Sequence, residues 1–309
     1  MSKYSSHQIF KKYLDCNPLF IDFISSRLII QRLFGAVMRI VEGFRIKEAV
    51  KELFIRLNYS PDSLKDLVFT DPSMEHFERK LAEIIEENRK KAKTEMRPLC
   101  QDCGVAQLFV KIGKNVTFSD APSLEILINK VVEEAYAEGL LRKSTVADPF
   151  ERKNEGKNLP AFIHYELCDG DTFEIYGIAK GGGSENVSAQ KMLVPAVGRE
   201  GVADFVFETL KNAGGKGCPP YFIGVGVGGT FDSVAALAKK ALLEQVCEDN
   251  ELLEMIDEKI KDLGFGVLGF PGKCPVKAVY VKKAPTHIAM MPAAVALNCH
   301  SYRSGRVEL

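Results

Sequence analysis

The run "PPYFIGVGVGG", residues 219–229, constrains the fold more than any other stretch of the chain. Its apolar segment is short, β-branched and bounded by Pro-Pro and Gly-Gly, so it reads as a buried strand. It feeds directly into "DSVAALAKKALLE", whose apolar spacing is helical. Elsewhere the two periods intermix. "FRIKEAVKELFIRLNY" has helical spacing, and "MEHFERKLAEIIEENRKKAKTEM" is a helix with acids early and bases late, as its dipole favours. "VAQLFVKIG" reads as a strand, and Pro122 and Ser123 open the helix "SLEILINKVVEEAYAEGLLRK". "PAFIHYELCDGDTFEIYGIAKGGG" reads as two strands around a turn at Asp169–Gly170, a β-hairpin. Helices are expected over 199–212 and 250–262, and "KAVYVKKAPTHIAMMPAAVALNC" gives one or two more strands. The expected fold is a mixed α/β (α+β) single domain with at least one β-hairpin and surrounding helices. No internal repeat or low-complexity linker divides it.

Residues 37–309 form this domain, and residues 1–36 read as an N-terminal extension. The first forty residues include "NPLFIDFISSRLIIQRLFGAVMRI", in which Asp22, Arg27 and Arg32 interrupt the apolar run. A spanning helix needs about 20 apolar residues with few charges, so no membrane partner is expected. One amphipathic helix, with no assigned chemistry, is the reading. Signal-peptide order is also missing. Lys+Arg and Asp+Glu both number 41, which leaves no basic excess for nucleic acid. Eight scattered cysteines suit a reducing, cytoplasmic setting, where thiols serve as buried apolar groups, metal ligands or nucleophiles.

Several local patterns suggest chemistry without deciding it. Cys100 and Cys103 form a CxxC, but a zinc site needs a second pair, and a thioredoxin-like motif should precede a helix rather than a strand. Gly224, Gly226 and Gly229 spell GxGxxG, yet no acidic residue ends a second strand at the required distance. Those glycines fit close packing, or backbone approaching a small anion. The three glycines of "AKGGGSEN", 179–186, leave amides free to cradle a carboxylate or phosphate. His164, His287 and His300 are undistinguished by context, and Arg142 could simply complement a helix dipole.

Taken in order, "RPLCQD.G", "LP..I", "AKGGGSEN", "CPPYFIGVGVGG" and "PTHIA…LNCH..R" resemble the iron–sulfur hydro-lyases, namely the α subunit of class I fumarase and L-tartrate dehydratase. The resemblance runs from about residue 40 to the end. It implies a [4Fe–4S] cluster on three cysteine ligands, Cys100, Cys218 and Cys299. Cys103 stands where that family usually has threonine, and Cys274 lies in "FPGKCPV", which departs from the family pattern. Three thiolates leave one iron open as a Lewis acid for the substrate hydroxyl. The resemblance further assigns Gln101, Asp102, Arg142, Gly183 and His287 to substrate binding, with Asp102 and His287 as catalytic side chains. An arginine fork suits a carboxylate.

In this family the proton-abstracting threonine and further arginines lie on a second domain or a separate β subunit. The chain ends at Leu309, so a separate β subunit is expected, assembled as α2β2. The expected reaction is hydration of fumarate to (S)-malate, a step of the tricarboxylic acid cycle. L-Tartrate dehydration to oxaloacetate is the alternative C4 dicarboxylate chemistry, and a non-catalytic iron–sulfur sensor the further one.

Overall fold

The computed structural model describes residues 38–120 and 123–309. The expected extension at 1–36 lies outside them. A short parallel pair joins β1 (Arg39–Glu42) to β3 (Val116–Ser119). Two four-stranded sheets carry the rest. The first has the order β10–β5–β2–β4, from Ser304–Glu308, Phe173–Lys180, Val105–Gly113 and Phe162–Cys168. The second has the order β6–β9–β7–β8, from Ala189–Leu193, Met291–Asn298, Tyr221–Gly228 and Val276–Ala284. The architecture is mixed α/β, as expected.

The turn at Asp169–Gly170 stands, but the hairpin expected there is corrected in its pairing. β4 runs parallel to β2 and β5 antiparallel to it, so both flank β2 and neither bonds to the other. The reason is burial. β2 carries Ala106, Leu108, Phe109 and Val110, all buried, and takes the central place. Its far end slots into the turn, where Lys114 N–H donates to Cys168 O at 2.8 Å and Asn115 N–H to Gly170 O at 2.9 Å. A Cβ on Gly113 would stand 2.5 Å from Gly170 O, so glycine is needed for that approach.

Helices α1 (Gly43–Tyr59) and α3 (Leu124–Glu138) cover the first sheet. Ile46, Val50 and Leu53 meet Val131, Val132 and Ala135 over Phe173 and Ile175, an apolar stripe at helical spacing against a sheet face. Ser123 caps α3 by accepting the Ile126 N–H at 3.2 Å, in keeping with the helix start that Pro122 and Ser123 predict.

β7 is buried on both faces. Tyr221, Ile223 and Val225 pack beneath α5 (Gly198–Ala213) and α7 (Asn250–Ile260) through Val206, Leu210, Leu252 and Ile256. Phe222 faces the other way, toward α2 (His76–Thr94) and α6 (Val234–Glu244), with Ala82, Ala238 and Leu242. Gly224 and Gly226 share that second face by strand alternation. A Cβ on Gly224 would lie 2.1 Å from Ala238 O, and one on Gly226 2.7 Å from Ala238 N. The glycine motif therefore seats α6 on β7. Helix packing accounts for it without a dinucleotide.

Candidate functional site

The first cysteine segment follows α2. Leu99 is buried and fastened on both sides, donating its N–H to Asn58 O at 2.7 Å and accepting from Asn88 Nδ2 at 3.0 Å. Cys100 comes next, partly exposed. Cys103 turns the opposite way, into the core, at 1% exposure. Its sulfur accepts the Arg142 backbone N–H at 3.1 Å, and burial is the main cause pushing its thiol pKa up. The CxxC is thus split: one sulfur is accessible, and the other holds a loop.

Asp102 joins this segment to the triple-glycine motif. Its Oδ1 accepts from Gly104 N at 2.9 Å and its Oδ2 from Gly182 N at 2.8 Å. Gly182 begins α4 (Gly182–Asn186), a single turn of helix. The amide cradle expected at "AKGGGSEN" is therefore filled in part by a carboxylate of the same chain. Gly104 has φ of +73°, and a Cβ there would meet the Lys180 backbone at 2.6 Å. Only glycine fits so close to β5.

The second segment precedes β7. Cys218 is exposed and adopts φ of +58°, a left-handed conformation uncommon outside glycine and asparagine. Tyr221 braces the approach by donating its hydroxyl to Gly214 O at 2.8 Å and accepting Gly217 N–H at 3.0 Å. The Cys218 carbonyl accepts the His300 N–H at 3.1 Å, which ties it to the third segment. There Cys299 follows β9. Burial is the main cause raising the Cys218 and Cys299 thiols, and the charge of Cys100 raises both further. Cys103 feels Cys100 as well, but from within the core.

Buried donors surround the third segment. Among the described residues, Asn298 Nδ2 and Arg303 Nε have no hydrogen-bond partner, although both residues are buried. Arg303 donates through Nη1 to Asp102 O and to Asn58 Oδ1. Burial and the Arg303 charge push His300 down to about 4, so its ring is neutral. Cys274 belongs elsewhere. Its N–H donates to Glu78 Oε1 at 3.0 Å and its sulfur lies 3.5 Å from Ser73 Oγ, in a loop folded around the buried Glu78 carboxylate.

Of the remaining expected residues, Gly183 lies in α4 and the others on loops. Gln101 is exposed beside Cys100. Gly183 is exposed and borders a depression of about 620 Å³ with Asn186, Lys191, Glu208 and Lys216. Arg142 exposes its side chain, its backbone being fixed by Cys103. His287 is exposed after β8, and its Nδ1 accepts the Ala289 N–H at 3.1 Å, which leaves the proton of a neutral ring on Nε2. Among the described residues, neither the Arg142 side chain nor His287 bonds to a cysteine segment. His164 stacks on Phe109 at 4.5 Å between centroids, away from the cysteines.

Two buried cations escaped sequence reasoning. Lys180, at the end of β5, is 1% exposed, and Arg303 is 2% exposed. Their signal was positional: one opens the triple-glycine motif and the other closes "LNCH..R". Among the described residues, no group of three or more His, Cys, Asp or Glu side chains is drawn close enough for a single metal ion. No described helix is long and apolar enough to cross a membrane.

This fold and this set of segments define a hydro-lyase α subunit. The profile of the family described as "Fumarate hydratase (Fumerase)" matches residues 46–308. The chain is 38% identical over 275 residues to a putative L(+)-tartrate dehydratase subunit alpha of Methanocaldococcus jannaschii, covering 84% of this chain and 95% of that protein. It is 32% identical over 229 residues to the L(+)-tartrate dehydratase subunit alpha of Escherichia coli K12, covering 71% and 75%. The chain belongs to the fumarate hydratase family of iron–sulfur hydro-lyases.

Proposed function

We propose that this chain is the α subunit of a hydro-lyase that adds water to, or removes it from, a C4 dicarboxylate at an iron–sulfur centre held by Cys100, Cys218 and Cys299. The observation that carries the reading is the tie between two of the three cysteine segments: the His300 N–H, next to Cys299, donates to the Cys218 carbonyl, whose own backbone is left-handed. Three thiolates from separate segments suit a cluster, whose irons are ligated separately. The unpartnered donors Asn298 Nδ2 and Arg303 Nε fit the same picture, because cluster sulfurs accept hydrogen bonds.

When bound, the cluster supplies a Lewis acid for a hydroxide that otherwise leaves badly. The chain's own residues place the substrate. Arg142 offers a fork for one carboxylate, with its loop pinned by Cys103. Gly183 leaves room for close approach, and Gln101 borders the first cysteine. Asp102 holds the first cysteine segment against α4, and His287 offers an Nε2 proton at the edge. The base that removes the substrate proton comes from a separate β subunit, as the name "subunit alpha" of the relatives supports. An α2β2 assembly completes the site.

Fumarate hydration to (S)-malate is the first reading, supported by the family description. L-Tartrate dehydration to oxaloacetate is the second, supported by the names of the relatives. The two substrates differ by one hydroxyl, which a pocket rejects weakly unless polar groups are built for it. Anaerobic assay of the chain co-expressed with its β partner, on fumarate and L-tartrate in parallel, separates them. Turnover that dies in air and returns with ferrous iron supports the hydro-lyase. A bound cluster with no turnover of either substrate favours a sensor.

A further inference from the structure

Lys180 has an unusual setting for a lysine. Its Nζ donates to Ser184 Oγ at 2.9 Å and to Leu297 O at 2.7 Å, two residues before Cys299. Its backbone is packed against Gly104, beside the first cysteine segment. Lysine stems ordinarily bury while the ammonium reaches water, whereas this ammonium is enclosed. Enclosing a charge is costly unless something of opposite sign answers it.

The anions of the chain answer it incompletely. Glu185 Oε2 lies 3.2 Å from Lys180 Nζ, but Glu185 Oε1 also takes Lys239 Nζ at 2.6 Å. Two ammoniums therefore share one carboxylate. Across Cys299, Arg303 reaches only the backbone carbonyl of Asp102 and the amide of Asn58. The Asp102 carboxylate is itself engaged by two amides. Lys180 and Lys239 thus share Glu185, and Arg303 lies against the Asp102 backbone. Among the described residues, the enclosed Lys180 ammonium therefore has only a shared carboxylate for a counter-charge. Burial pulls Lys180 down to about 8 despite Glu185.

We propose that Lys180 is the fixed counter-charge of the iron–sulfur centre, held under Cys299 by Ser184 and Leu297 to set how readily that centre accepts an electron. The inference rests on the cluster reading given above. A cluster with three thiolates is anionic, and its potential follows the net charge around it. A buried charge is little screened by salt. Lys180 therefore makes electron uptake easier, and Glu185 opposes it.

The test is the one-electron midpoint potential of the cluster in the full chain, reconstituted anaerobically with iron and sulfide and followed by electron paramagnetic resonance. Lys180→Met is expected to lower the ratio of reduced to oxidised cluster about tenfold at fixed potential, a shift of about 59 mV to the negative side. Lys180→Arg should stay near the parent. Glu185→Gln should move the potential the opposite way, a sign reversal that a merely structural role would not produce. If Lys180→Met does not fold, the direction of the Glu185→Gln shift decides. Unmoved potentials, or shifts of the same sign in both variants, overturn the assignment of Lys180 alone. A parent chain that takes up no cluster overturns the cluster reading and this inference together.

Discussion

The Asp102 Oδ2 atom accepts the Gly182 N–H at 2.8 Å, joining the loop of the first cysteine to the triple-glycine motif. The same carboxylate accepts Gly104 N–H through Oδ1. Removing it strands two amides. Asp102→Ala should cost about 2 to 3 kcal/mol, since bonds to charged acceptors are the stronger ones. Thermal denaturation should show a melting point lower by about 4 to 8 °C. Asp102→Asn keeps one acceptor and should lose less. An Asp102→Asn variant of parental stability that nonetheless loses turnover would identify a chemical role beyond the tether.

Single replacement of Cys100, Cys218 or Cys299 by serine should abolish the cluster, measured as iron and acid-labile sulfide per chain. Cys103→Ser and Cys274→Ser should retain it. One sulfur is buried and spoken for by Arg142, and the other lies beside Glu78 and Ser73. Loss of the cluster from Cys274→Ser but not from Cys299→Ser would reverse the ligand choice.

Cys103 should matter for the Arg142 loop instead. Cys103→Ala removes an acceptor and leaves a small void, a cost of about 1 to 2 kcal/mol. If Arg142 binds a substrate carboxylate, this variant should raise KM more than it lowers kcat. Cys103→Thr supplies another acceptor and should restore the parental KM.

Asp249 gives a pH signature remote from the site. It caps α7 by accepting Leu252 N–H at 3.1 Å and pairs with Arg199 and Lys283, and these bonds, Arg199 foremost, hold its carboxyl down to about 2. The unfolded chain binds the proton more tightly than the folded one. The stabilisation is therefore complete above about pH 4 and is lost as pH falls toward 2. It amounts to about 2 kcal/mol at 1.36 kcal/mol per pKa unit. Asp249→Asn should flatten the acid limb of the stability curve between those values in chemical denaturation. An unchanged limb would mean that other groups set it.

Gly224→Ala should be among the most damaging single-methyl changes in the chain. The added carbon would meet a backbone carbonyl of α6, which has no rotamer to yield. A loss of about 3 kcal/mol or more follows from overpacking. Soluble protein of parental melting temperature from this variant would refute the packing account.

The long elements were legible because their periods are clean. α1, α2, α3 and α6 show apolar stripes, and β2 and β7 are apolar runs of strand length between turn residues. The strands β1, β3, β6 and β10 went unread, being four or five residues with no sustained alternation. The pairing of β4 and β5 around β2 was also hidden, since a turn between two strands says nothing of a third strand entering between them. At the site, cysteine spacing could not tell that Cys103 faces inward, because the direction of a side chain in a loop is set by tertiary packing. Lys180 and Arg303 stayed invisible for a related reason. Composition places lysine and arginine on the surface, and only the docking of the two halves, with Lys180 bonded to Leu297 and Arg303 to Asp102, encloses them.

That docking has a consequence for how the protein matures. Cys100 is anchored beside the first sheet, whereas Cys218 and Cys299 hang from loops of the second. A nascent chain that has completed one sheet exposes scattered thiols with no common mouth. Only the finished molecule gathers them. If these thiols hold the proposed cluster, uptake of inorganic iron and sulfide waits on folding and begins once both halves are in place. Local melting of either half would then part the trio, since its members hang from different sheets.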